Sequence, residues 1–187
     1  MKKEPRSRLW LRRSTLSYVE RYPASVRRVQ QVMRRRIERR LRGRCEGRDP
    51  VDEVGLEVAA ERQQLLAELD LLLVSLQQHG HLDDQRQAGL WVDAWHRKGH
   101  SVRVIRQRLL ERGIAAELAD LVVAEFQDRG EGDSVDLAAA DNYARRRRLG
   151  PYRRDPERRA EFRRRDLAAL ARRGFSYGVA SSVIDRP

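Results

Sequence analysis

Apolar positions recur along this chain at helical spacing. Val102, Ile105 and Leu109 fall at i, i+3 and i+7, and Leu66, Leu69, Leu73 and Leu76 at steps of three, four and three, while strand-type alternation is nearly absent. Each series predicts the buried stripe of an amphipathic helix. Turn signals separate the stripes. Pro23 and Ser25 precede a basic helix, Gly99 and Ser101 precede Val102, and Gly113 and Gly174 follow last turns carrying Arg112 and Arg172-Arg173. The pattern predicts short helices joined by tight turns.

The stripes repeat. Leu109-Leu110-Glu111-Arg112-Gly113 returns 61 positions later as Leu170-Ala171-Arg172-Arg173-Gly174, an L-x-x-R-G pattern. Ile114, Leu118 and Val122 return at the same offset as Phe175, Val179 and Val183. A more diverged copy lies upstream, where Ser25-Val26-Arg27 mirrors Ser101-Val102-Arg103 at an offset of 76 and Met33 stands where Leu109 does. Such a module cannot bury its apolar face alone, so copies must stack. The expected fold is all-α: tandem three-helix, helix-turn-helix-like repeats forming an elongated curved body. The expected organisation is a mobile N-terminal arm at 1–13, then repeats at 14–80, 81–130 and 131–187. Two segments interrupt the plan. An acidic insertion at 43–61 opens as a loop at Gly43, Gly47 and Pro50, and Arg145 to Pro156 lengthens the third copy.

Charge gives the repeats a direction. The net charge is +12, which points to a polyanionic partner. Residues 1–42 carry 15 basic against 3 acidic side chains, and residues 43–84 carry 3 against 10. Only Lys2, Lys3 and Lys98 are lysines, so 37 of the 40 cations are arginine, whose planar fork suits bidentate contacts. A G+C-rich genome would also raise the arginine share. Charge segregation is therefore the stronger signal.

Catalytic and metal chemistry find little support, and no cofactor is expected. Cys45 is the sole cysteine, which excludes an intramolecular disulfide and a cysteine-based zinc site and fits a reducing cytoplasm. His96 and His100 have zinc-ligand spacing, but the glutamate of an H-E-x-x-H motif is missing. His79 and His81 flank Gly80 at an expected helix end, where a turn role is ordinary. Asp83 and Asp84 read as cap and first-turn residues of the next helix. Trp91 and Trp95, one turn apart, and Trp10 read as core. No signal-peptide run or membrane-length apolar segment is present, so no membrane association is expected.

Several of these residues together resemble a known family. Gly80-His81-Leu82-Asp83-Asp84, Arg86, Ala88, Arg97-Lys98-Gly99, Ile105, Leu109 and Arg112-Gly113-Ile114 are similar in order and spacing to the central signature of the RecX family of recombinase regulators. Ala144-Arg145-Arg146 and Leu170 to Tyr177, with Val183-Ile184, are similar to that family's third repeat. The resemblance spans about residues 15–185 and is strong from 66 onward. His81 departs from it, standing where the family often has an aromatic residue, and the long first module puts the geometry of that end in question. The resemblance implies tandem three-helix modules lying along the groove of a RecA filament on single-stranded DNA. It also implies suppression of RecA ATP hydrolysis and strand exchange, with RecA protein and the filament as partners, direct DNA contact, and a monomeric regulator.

The contacts are expected from basic residues on the second helix of each module. These are Arg27, Arg28, Arg34 and Arg35 in the first, Arg103, Arg106, Arg108 and Arg112 in the second, and Arg163, Arg164 and Arg165 in the third, with the cationic run Arg145, Arg146, Arg147 and Arg148. On the Val102–Ile105–Leu109 wheel, Arg103 and Arg108 point away from the core, and Arg106 and Arg112 flank it. For any single arginine a solvated helix face competes with a contact. Two other functions stay open: a helix-turn-helix transcription regulator and an RNA-binding structural protein.

Overall fold

The computed structural model describes residues 5–45, 53–130 and 134–187. Among them the chain forms nine α-helices and no strand: α1 (Arg6–Arg21), α2 (Val26–Cys45), α3 (Glu53–Gln78), α4 (Asp84–Arg97), α5 (Val102–Glu111), α6 (Ala116–Arg129), α7 (Ser134–Arg147), α8 (Arg159–Ala171) and α9 (Tyr177–Ile184). A single 3₁₀ turn, Gly150–Tyr152, precedes α8. The helices fall into three consecutive triples, each with its own apolar cluster. By contacts the chain divides into two compact units, residues 1–87 and 88–187. The second unit holds the cores of both later triples.

In the first unit, Val29, Met33, Ile37 and Leu41 of α2 pack against Val58, Leu65, Leu69, Leu73 and Leu76 of α3 and Leu11 of α1. Leu65, not Leu66, belongs to this row. Val58 lies seven residues before Leu65, so the true stripe extends two turns above Leu65, and Leu66 packs only at its edge. The mobile arm expected at 1–13 is also corrected from Arg6 onward. Those residues open α1, and Leu11, only 1% exposed, anchors them in the core. Residues 1–4 lie outside the described range. The insertion is largely helical where it is described, because α2 continues through Gly43 to Cys45 and α3 starts at Glu53. Gly47 and Pro50 lie outside the described residues.

The offset of 61 reproduces burial as well as residue type. Ile114, Ala119, Val122 and Val123 are buried, and so are Phe175, Ala180, Val183 and Ile184, while Leu118 and Val179 are both half-buried. The correspondence breaks on the second helix, where exposed Arg163 stands at the position of half-buried Val102 and Asp166 at that of Ile105. Asp166 is 1% exposed. Its carboxylate accepts hydrogen bonds from the Gly150 amide at 2.9 Å and from Arg153 at 2.5 and 3.0 Å. A buried carboxylate needs such a full set of donors. The Arg145–Pro156 extension supplies them, so the added segment and the polar core residue depend on each other.

A second device recurs between modules. The amide of Val102, first residue of α5, donates to Asp136 of α7 at 2.9 Å, and the amide of Val26, first residue of α2, donates to Asp84 of α4 at 2.9 Å. In both cases the helix that follows a module supplies the carboxylate that caps that module's second helix. Desolvation raises the pKa of both carboxyls, with the amide hydrogen bond acting against it. Asp83 has the local role expected of it and caps Arg86 at 2.9 Å.

Candidate functional site

The second helices carry the basic residues, and their neighbours sort these residues into engaged and unengaged sets. On α5, Arg106 chelates Asp120 of α6 through both Nε and Nη2. The α4 side of α5 carries two arginines against aromatic rings. The Trp91 and Trp95 rings are stacked at 5.9 Å and nearly buried, the Arg108 guanidinium lies 5.8 Å from Trp95, and that of Arg112 lies 5.2 Å from Trp91. Such cation–π contacts occupy the cation's face. Arg108 therefore does not point away from the core as the wheel predicts, because α4 crosses that flank. Arg103 alone of the four is exposed without a carboxylate or ring partner among the described residues.

The third module repeats this sorting. Arg163 forms a bidentate pair with Asp185 at 2.7 and 2.8 Å, which raises its pKa, whereas Arg164 and Arg165 are exposed and have no carboxylate partner among the described residues. In the cationic run, Arg145 is 3.4 Å from Asp141 and lies over the Tyr152 ring at 5.3 Å. Arg146 reaches the turn at Gly99, Arg147 hydrogen-bonds Tyr143, and Arg148 ends the helix at a positive φ of 55°. The run is thus divided among several roles.

The L-x-x-R-G arginine is a packing residue. Arg173 lies over the Tyr143 ring at 4.6 Å, its guanidinium is 3.0 Å from His100, and its carbonyl accepts from the Ser101 amide at 3.2 Å. Gly174, at φ +91°, brings the chain so close to α5 that a Cβ would stand 2.3 Å from Val104. The third module docks on the α4–α5 turn through these contacts. Burial, with Arg108, Arg173 and Lys98 nearby, lowers the His100 pKa to about 4. His96 meets the Val135 carbonyl at 2.9 Å, so the two histidines at zinc-ligand spacing have separate protein partners. His79 bonds the Ser75 carbonyl at 2.7 Å, the turn role expected of it.

In the first module, Arg34 lies 3.9 Å from Asp70, Arg36 donates to Ser14 at 2.8 Å, Arg40 covers Trp10 at 4.6 Å and Arg44 pairs with Glu61. Arg27, Arg28 and Arg35 are exposed with no acidic partner among the described residues, as are Arg39 and Arg42, which the sequence reading did not single out. Their signal was available, since they extend the spacing of Arg28 and Arg35 along one face.

Both repeat offsets connect three of the unengaged residues. Arg27, Arg103 and Arg164 occupy the same register in the first, second and third modules, and all three are exposed. Among the candidates, this position is the one the fold leaves available in every copy.

The family model for the second three-helix domain of RecX matches residues 83–123, which cover α4, α5 and the first half of α6. The regulatory protein RecX of Myxococcus xanthus is 36% identical over 185 residues, covering 98% of this chain and 89% of the relative. The regulatory protein RecX of Agrobacterium fabrum is 36% identical over 106 residues, covering 55% of this chain and 51% of the relative. No solved structure matches. Among the described residues, no helix is long and apolar enough to cross a membrane. With three-helix modules repeated in sequence and burial, and a relative aligned over nearly the whole length, the chain belongs to the RecX family of regulatory proteins.

Proposed function

We propose that this chain regulates recombination by binding RecA and the RecA–single-stranded DNA filament, lowering the filament's ATP hydrolysis and strand exchange without chemistry of its own. The observation that carries the reading is the repeated free cation. Arg27, Arg103 and Arg164 present one exposed guanidinium per module in equivalent register. A partner that is itself a repeating assembly can meet each copy in the same way, and weak contacts made together reinforce one another. Family membership supplies the expectation of a recombinase partner. Arg106 and Arg163 contribute less to binding, because Asp120 and Asp185 already hold them.

Co-sedimentation with RecA filaments assembled on single-stranded DNA tests this. The triple variant Arg27→Ala/Arg103→Ala/Arg164→Ala is expected to lose at least ten-fold in affinity, and Arg106→Ala/Arg163→Ala to bind nearly as the parent does. Equal binding by parent and triple variant would remove the repeated position from the interface. Absence of the parent from the filament pellet would remove the reading itself.

A further inference from the structure

We propose that the outer face of α2 is a direct binding site for the phosphodiester backbone of nucleic acid, acting without help from a protein partner. The proposal deepens the filament reading by naming the nucleic acid as the ligand of one surface, and it rests on that reading only for its biological setting.

Four observations carry it. First, at about 100° per residue, Arg28, Arg35, Arg39 and Arg42 fall within about 60° of one another, opposite the buried row Val29, Met33, Ile37 and Leu41. Second, the acids near α2 are already committed. Asp70 bonds Gln30 and lies near Arg34, Glu61 holds Arg44, and Glu38, the only acid described on α2, is taken by Arg62 at 2.6 Å. The stripe therefore keeps its full charge. Third, no large apolar side chain is exposed on α2, although such residues are exposed on α1, α3, α4 and α6. Protein interfaces centre on buried apolar or aromatic anchors, whereas surfaces that bind a polyelectrolyte do not need them. Fourth, the fourteen helical steps from Arg28 to Arg42 rise about 21 Å, the axial length over which one strand of B-form geometry carries about six phosphates.

The stripe also lacks an aromatic side chain on which a base could stack. It should read charge and not sequence. This separates it from Trp91 and Trp95, whose rings are buried.

Fluorescence anisotropy with a labelled oligo(dT), in the absence of RecA, tests the proposal on the full chain. Each phosphate contact on a single strand adds about 0.7 to the salt slope, so four contacts weaken binding by about fifty-fold between 50 and 200 mM salt. The variant Arg35→Ala/Arg39→Ala/Arg42→Ala leaves one contact, and its loss over the same range is expected to fall to about three-fold. Arg35→Lys/Arg39→Lys/Arg42→Lys is expected to restore the slope, since counterion release requires charge and not fork geometry. Arg106→Ala/Arg163→Ala is expected to leave it unchanged. Oligo(dA) and oligo(dT) are expected to bind alike.

An alanine variant with the parent's salt slope and unchanged circular dichroism overturns the proposal. So does competition by poly-glutamate at equal charge as strong as that by unlabelled oligo(dT), which would assign the stripe to an acidic protein. Because RecA is absent, the result stands apart from the filament reading. Filament binding that survives the alanine variant would leave that reading intact while removing this site.

Discussion

Substitution of Gly174 by alanine tests the docking of the third module on the second, and Gly80 provides its control. Both glycines have left-handed backbones, at φ +91° and +73°. A Cβ at Gly80 would meet nothing within 4 Å, so Gly80→Ala carries only the left-handed penalty, about 1–2 kcal/mol. At Gly174 the added carbon would lie 2.3 Å from Val104 Cγ2 and 2.4 Å from Ser101 Oγ. Neither neighbour can retreat easily. Ser101 is buried and caps α5 by accepting from the Val104 amide. Overpacking of this kind adds about 1–3 kcal/mol, which brings Gly174→Ala to about 2–5 kcal/mol. Urea unfolding followed by circular dichroism measures both losses. Adding Val104→Ala to Gly174→Ala should recover part of the excess, giving a favourable coupling energy. Equal losses at the two glycines would refute the docking argument, because they would leave the L-x-x-R-G glycine as a turn residue alone.

Three more outcomes follow from buried polar groups. His100 has its pKa lowered to about 4, so the unfolded chain takes up a proton that the folded chain refuses; stability should fall by at most about 3 kcal/mol as pH drops from about 6.5 to 4, and His100→Gln should flatten that window in a pH series of melts. Asp166→Ile restores the residue type of the second module but strands Arg153 and the Gly150 amide, and should cost about 3–5 kcal/mol in chemical denaturation, with recovery in Asp166→Ile/Arg153→Met. Asp136→Ala removes the cap on Val102 and should lower stability by about 1–2 kcal/mol by thermal melt, whereas Asp136→Asn keeps an acceptor and, burial having raised the carboxyl pKa, should be no worse than the parent at neutral pH.

The repeat was legible because it is written in local spacing. The L-x-x-R-G pattern and the apolar residues after it recur at one offset, and burial follows the same offset from Ile114 and Phe175 onward. Long-range partners were not legible. Asp84 reads as a first-turn residue of its own helix, yet its hydrogen bond goes to Val26, 58 positions away. Asp166 carries no local sign of burial, because the donors that satisfy it come from the Arg145–Pro156 extension. Among the arginines, the wheel separated inner from outer faces but could not show that α4 would cover Arg108 and Arg112, or that Asp120 and Asp185 would engage Arg106 and Arg163. Arg39 and Arg42 lie beyond the segment that aligns between copies, since α2 extends three turns beyond α5 in that alignment.

The central claim is that this family member regulates a recombinase filament by binding. Its most direct test is the rate of RecA-dependent ATP hydrolysis on single-stranded DNA, titrated with the purified chain from substoichiometric to stoichiometric ratios. A progressive fall in rate that weakens when Arg27, Arg103 and Arg164 are replaced is the predicted result. A rate that stays constant across the full titration would contradict it.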